Sequence, residues 1–243
     1  MSRQRADLLL VERGFFDSRA KAQAAIQAGL VTANGAPVRK ASEPLEADAD
    51  IAAQAPHPWV SRGGLKLEAG LDGFGIDPQG LTCLDLGAST GGFTQVLLTR
   101  GARRVYAVDV GRGQLHPSIA SDERVVSLEG TDARSLTGDL LSEPVQLVVA
   151  DVSFISLTRV LPASVPFLAP GAGLVALIKP QFEAGRENVG KGGIVRDEGV
   201  RLAACAKIEA HARELGFHVL GILSSPILGG EGNHEYLIGG RFG

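Results

Sequence analysis

The chain has 243 residues, 44% hydrophobic and 21% charged, with a formal net charge of −3, which allows one large domain or one large and one small. Its two cysteines, Cys83 and Cys205, form no spaced cluster, which argues against a zinc site or a disulfide framework. No apolar run nears eighteen residues and there is no charged-then-apolar leader, so the expectation is a cytoplasmic protein without a membrane span.

The first 42 residues carry seven basic side chains against three acidic ones, a net +4 that leaves −7 for the rest. A basic head on an acidic body suits a polyanionic partner, although short basic stretches are often only solvated faces. Leu8, Leu9, Val11 and Phe15 mark one apolar helix face, stopped at Gly14. Asp17-Ser18 caps a second helix that ends at Gly29. Leu30–Ala33, Asn34-Gly35 and Ala36–Val38 read as strand, tight turn and returning strand. Glu43 to Pro58 reads as a last strand and a linker, followed by Trp59, which either packs or couples the two parts of the chain.

From Trp59 on, strands at 82–86, 104–109, 125–129, 146–151, 173–178, 217–223 and 234–240 alternate with helices near 64–74, 91–100, 156–167 and 197–215. That alternation predicts an α/β fold: a doubly wound, Rossmann-like sheet of seven mostly parallel strands, with a small α+β unit before it. The glycine-rich stretch Gln181–Ile194 interrupts the pattern and is a candidate lid.

The most informative stretch is Asp85-Leu86-Gly87-Ala88-Ser89-Thr90-Gly91-Gly92-Phe93, between the first of these strands and its helix. Glycines are wanted where a ligand approaches the backbone within van der Waals distance. The turn is not G-x-G-x-x-G and no phosphate-binding G-x-x-x-x-G-K-[ST] occurs, so a pyrophosphate cradle is poorly supported. An acid before the glycine suits a ligand with a cationic group, and S-adenosylmethionine fits. Asp85, Gly87, Ser89, Gly91, Gly92 and Phe93 are therefore candidate cofactor contacts. Asp109 stands at a strand end where nucleoside-binding folds meet ribose hydroxyls, and Asp132 is a candidate for the adenine edge. A strand-terminating turn is the plain alternative for both.

Asp151 and Lys179 each follow a strongly apolar strand and should end near each other, either as a structural ion pair or as a proton-transfer site. Lys66, at the entry to the large domain, and Glu235, at the start of the last strand, could complete that set.

Taken together, Ser61-Arg-Gly-Gly-Leu-Lys66, Asp85 to Phe93, Asp151-Val-Ser-Phe-Ile-Ser156 and Lys179-Pro-Gln-Phe-Glu183 closely resemble the TlyA family of rRNA 2′-O-ribose methyltransferases, sometimes labelled haemolysins. The resemblance spans essentially the whole chain. It implies an S-four-like RNA-binding domain with linker over 1–58, and an FtsJ-type S-adenosylmethionine-dependent methyltransferase over 59–243. It also implies a catalytic Lys-Asp-Lys-Glu tetrad on Lys66, Asp151, Lys179 and Glu235. Asp151 would also meet the cofactor, and Lys179 would orient and deprotonate the ribose hydroxyl. Arg3, Arg5, Arg19, Lys21 and Arg62 become the candidate RNA contacts, with rRNA in a ribosomal subunit as partner. Family members that modify both subunits carry an extra C-terminal helix. This chain stops at Gly243, which points to a cytidine in large-subunit rRNA, although the basic start Ser2-Arg3-Gln4-Arg5 is less typical of that type.

Four other readings are weaker. An amino-directed base methyltransferase usually carries prolines after the fourth strand, which Asp151-Val152-Ser153-Phe154 lacks. Carbon-directed methylation needs a cysteine at a strand end, and neither Cys83 nor Cys205 is there. A non-catalytic RNA-binding factor would not need the lysine pair, and a membrane-lytic protein would need an amphipathic or spanning segment.

Overall fold

The computed structural model describes residues 3–229 and 232–243. Ser2 of the basic start and Gly230-Glu231 of the loop before Glu235 lie outside the described residues. The chain divides into two compact units, Met1–Pro58 and Trp59–Gly243.

The first unit runs β1 (Arg3–Arg5), α1 (Ala6–Glu12), α2 (Arg19–Gln27), β2 (Val31–Ala33), β3 (Ala36–Pro37), β4 (Pro44–Glu46) and β5 (Ile51–Ala53). Ser18 caps α2 by accepting from the Lys21 amide. Asn34 and Gly35 both take positive φ, 52° and 76°, the signature of the tight turn that their sequence predicts. Its core gathers Leu9, Leu10, Phe16, Ile26, Val31 and Val38. Pairing of β1 with β4 was not foreseen, because three-residue strands leave no readable period.

The second unit contains α3 (Gly63–Phe74), β6 (Thr82–Leu86), α4 (Gly92–Thr99), β7 (Arg104–Asp109), α5 (Pro117–Ala120), β8 (Val125–Glu129), β9 (Val145–Ala150) and α6 (Leu157–Val160). It continues with β10 (Leu168–Ile178), α7 (Pro180–Glu183), α8 (Glu198–Glu214), β11 (Phe217–Ser224) and β12 (Tyr236–Phe242). Seven strands form one sheet in the order β11-β12-β10-β9-β6-β7-β8, all parallel along the β10 to β8 side, with β12 antiparallel to its two neighbours. Side-chain alternation sends Leu84, Leu86, Val148 and Leu174 into one core layer, and Cys83, Leu147, Val149 and Val175 into the other. Both faces are covered, as the near-continuous apolar strands require.

The chain steps outward from β6 to β8 and then returns to β9 on the other side of β6. This reversal opens a crevice beyond the carboxyl ends of β6 and β9. The helix expected over 156–167 is one α turn followed by a 3-10 segment, Leu161–Phe167. Pro162 and Pro166 lack the N–H groups that an α-helix would use there. The segment 181–194 contains two short helical turns. It begins inside α7, makes a 3-10 turn at Arg186–Asn188, and is pinned where the Asn233 side chain accepts from Val195 N and donates to Gly193 O.

Candidate active site

The glycine turn is built by close backbone approach. Gly87 has φ 85°, and a Cβ there would lie 2.7 Å from the Asp151 carbonyl oxygen, so only glycine lets the ends of β6 and β9 meet. Gly87 and Ala88 donate their amides to the Val108 carbonyl at 2.9 and 3.1 Å. Ser89, also left-handed at φ 47°, donates its amide to Asp109 Oδ2 at 2.8 Å. Gly91, with φ 92°, opens α4. A Cβ on Gly92 would collide with Ser61 Oγ, so this glycine admits the segment that leads to Lys66.

Two adjoining clefts share Gly87, Ser89, Asp151 and Ser153. The larger, about 530 Å³, is walled by Val108, Asp109, Gln114, Asp132, Val152 and Ile155. The smaller, about 280 Å³, is lined by Ser61, Arg62, Lys66, Phe93 and Lys179. The larger cleft fits a nucleoside, with apolar side chains for a ring and a carboxylate for ribose hydroxyls. Asp109 accepts from Ser89 N and from Gly111 N at 2.7 Å, and its oxygens keep further lone pairs for a ligand. Asp132 lines the same cleft but spends its carboxylate on Arg134, whose guanidinium holds its pKa below the usual range. It is thus also the turn-capping acid of the plain alternative.

Asp85 departs from its expected role. Its side chain is fully buried, takes a 2.7 Å hydrogen bond from Thr94 Oγ1 and lines neither cleft. Alternation along β6 turns it onto the same face as Cys83, beneath α4, so it braces the turn from below. Its second oxygen has no hydrogen-bond partner among the described residues, and burial raises its pKa to about 7.

The four tetrad candidates converge. Lys179 Nζ lies 2.7 Å from Asp151 Oδ1 and donates to Ser153 Oγ at 2.8 Å. Parallel pairing of β9 with β10, with Ala150 opposite Ala176, is what brings the two strand ends side by side. Lys66 of α3 pairs with Glu235, which precedes β12, and both are buried.

Three residues that the sequence did not single out shape this site. Ser153 holds Lys179. Phe154 takes a left-handed φ of 64°, is 92% exposed and leans on Phe182 at 5.2 Å between ring centres. Glu183 is buried and accepts from Ser156 Oγ at 2.5 Å and Leu157 N at 2.8 Å, with Lys207 at 3.3 Å. It therefore ties the loop after Asp151 to the segment that starts at Lys179. The only sequence signal for this trio was its membership of the two motifs.

The five RNA-contact candidates behave differently from one another. Arg62 lines the smaller cleft. Arg5 and Arg19 turn towards the fully buried Asp7, each at 3.0 Å, while remaining about half exposed. Lys21 pairs with Asp17 at 2.7 Å, and Arg3 with Glu46 at 3.4 Å. These four cationic groups of the head are thus each held against an acid of the same unit.

Comparison with known proteins agrees with this architecture. Residues 4–51 match the S4 domain and residues 59–242 match the FtsJ-like methyltransferase family. The chain is 47% identical over 241 residues to the 16S/23S rRNA (cytidine-2'-O)-methyltransferase TlyA of Mycobacterium tuberculosis, covering 97% of this chain and 89% of that protein. It is 41% identical to Hemolysin A of Brachyspira hyodysenteriae, covering 96% and 98%. A solved structure from Streptococcus thermophilus, described as a hemolysin, superimposes with a TM-score of 0.78 at 41% identity, covering all of this chain and 89% of that one. The chain belongs to the FtsJ-like methyltransferase family, within the group that includes TlyA and Hemolysin A.

Proposed function

We propose that this protein transfers a methyl group from S-adenosylmethionine to a ribose 2′-hydroxyl of a cytidine in rRNA. The observation that carries the reading is the Lys179 amine held against Asp151 and Ser153, with the Lys66–Glu235 pair beside the same glycine turn. S-adenosylmethionine, when bound, supplies a methyl group on a positive sulfur that departs as a neutral thioether. Gly87, Ser89, Asp109 and Asp132 would hold its nucleoside part in the larger cleft, and Gly91, Gly92 and Phe93 would shape the passage to the smaller one.

A ribose hydroxyl is a weak nucleophile. Its O–H bond must break as the new O–C bond forms, and the proton goes to the Lys179 amine. Asp151 stabilises the positive charge on that amine. Lys66 and Glu235 hold the ribose. General-base help contributes about 10²–10⁴-fold, and alignment of the reactants supplies more.

The domain roles follow the division of the chain. Residues 1–58 dock rRNA and 59–243 carry the chemistry. Arg3, Arg5, Arg19, Lys21 and Arg62 would meet phosphates, giving affinity and salt dependence without sequence choice. Phe154, aromatic and exposed at the mouth of the site, offers a face on which an extruded base can stack. The large subunit remains the preferred target; the name of the mycobacterial relative covers both 16S and 23S rRNA. Such a substrate places the protein in the cytoplasm with ribosomes.

The test is to map ribose methylation in rRNA from cells with and without the gene. One cytidine should lose its methyl group in the large subunit. An unchanged map would end the substrate assignment, and a lost site only in the small subunit would reverse the subunit choice.

A further inference from the structure

Resting on the reading of Lys179 as the proton acceptor, we infer that Ser153 is a positioning residue that aims the Lys179 amine at the substrate hydroxyl. A neutral amine has two N–H bonds and one lone pair. Here Nζ donates to Ser153 Oγ at 2.8 Å, while Asp151 Oδ1 lies 2.7 Å away as an ion-pair contact without hydrogen-bond alignment. Ser153 is thus the group that fixes an N–H direction of the amine, and with Nζ drawn against Asp151 the rest of the amine is turned to the cleft that Lys179 helps to line.

The chemistry of that acceptor matters. A second carboxylate would also fix the amine, but by favouring the charged form it would leave less neutral amine ready to take the substrate proton. A neutral hydroxyl orients the amine with a smaller bias towards the ammonium form. The loop around Ser153 is well anchored for this task. On one side, Asp151 N donates to Leu86 O at 2.9 Å. On the other, Ser156 and Leu157 N are held by Glu183, four residues after Lys179. Both partners of the Ser153–Lys179 hydrogen bond therefore belong to one braced unit.

The experiment compares the full-length parent with Ser153→Ala, Ser153→Thr and Lys179→Ala. It measures kcat, the KM for ribosomal substrate, S-adenosylhomocysteine affinity by calorimetry, and thermal stability. Ser153→Ala should lower kcat about 10- to 100-fold, the scale of a misaligned reacting group. KM, product affinity and melting temperature should stay within about twofold or a few degrees of the parent. Ser153→Thr, which keeps the hydroxyl, should recover most of kcat. If Lys179→Ala is inactive while Ser153→Ala keeps the parental kcat, the role of Ser153 is overturned and that of Lys179 stands. If Ser153→Ala loses substrate or product affinity as much as kcat, or if threonine does not restore it, Ser153 is a structural or binding residue and the inference fails. An active Lys179→Ala would instead remove the reading on which the inference rests.

Discussion

Lys66 and Glu235, 169 residues apart in the chain, form a buried ion pair beside the glycine turn. The contact joins the first helix of the large unit to the entry of its last strand. A buried charge left without its partner typically costs about 3–5 kcal/mol. Glu235→Ala should therefore lower the melting temperature as well as activity. A calorimetric scan checks this, and an unchanged melting temperature would mean that Lys66 finds another partner or water.

Asp85 should give the stability of the protein a specific pH dependence. Its carboxyl titrates near 3.9 when unfolded, by the usual aspartate value, and at about 7 in the fold. Between those values the folded state keeps a proton that the unfolded chain releases. Stability therefore falls as pH rises through that window, and the penalty is complete above pH 7. Asp85→Asn removes this titration, so the difference in melting temperature between pH 5 and pH 8 should shrink. An unaltered difference would show that the buried carboxyl is not its source.

The opposite sign applies to Asp7. The guanidinium of Arg5, with Gln23 and Arg19, holds its carboxyl well below the usual range. Its stabilisation of the first unit is present above the unfolded carboxyl value and is lost as the solution becomes more acidic than that. At neutral pH, Asp7→Asn should destabilise this unit by about 1–3 kcal/mol, the cost of a broken buried hydrogen-bonded group. Amide exchange over residues 3–53 would show the loss, and RNA affinity should fall with it because Arg5 and Arg19 lose their anchor.

Phe154 combines exposure with a strained backbone, so substitutions there separate two effects. Phe154→Ala should raise the KM for RNA about five- to hundredfold if one stacked base is lost, from about 1–3 kcal/mol per base. Phe154→Gly should relieve the left-handed strain and stabilise the fold while losing the same RNA interaction. Equal RNA kinetics in the parent and both variants would leave the ring without a substrate role.

Removal of residues 1–58 should weaken RNA binding far more than S-adenosylhomocysteine binding, and should flatten the salt dependence of what remains. Equal losses of both affinities would contradict the division of labour between the two units. Filter binding across a salt series, with calorimetry for the nucleoside, measures both.

Much of this protein is legible in its sequence alone. Apolar runs at strand length located the seven strands of the large sheet, and Asp85–Phe93 marked the crossover turn. Boundaries shifted where proline or pairing intervened, as in the 3-10 segment after α6 and the extension of β10 back to Leu168. Residue type and strand-end position also marked Lys66, Asp151, Lys179 and Glu235 as candidates, and the family resemblance joined them into one set. Orientation is not. Whether Asp85 faces a ligand or the underside of α4 depends on the face of β6 that it occupies once α4 has packed there. Whether Arg5 and Arg19 are free or gathered on Asp7 depends on how α1 and α2 meet. The sequence determined which elements form and which chemistry they carry, since periodicity and side-chain type are local. Only the tertiary structure decided which groups touch, because burial and hydrogen bonding arise between segments far apart in the chain.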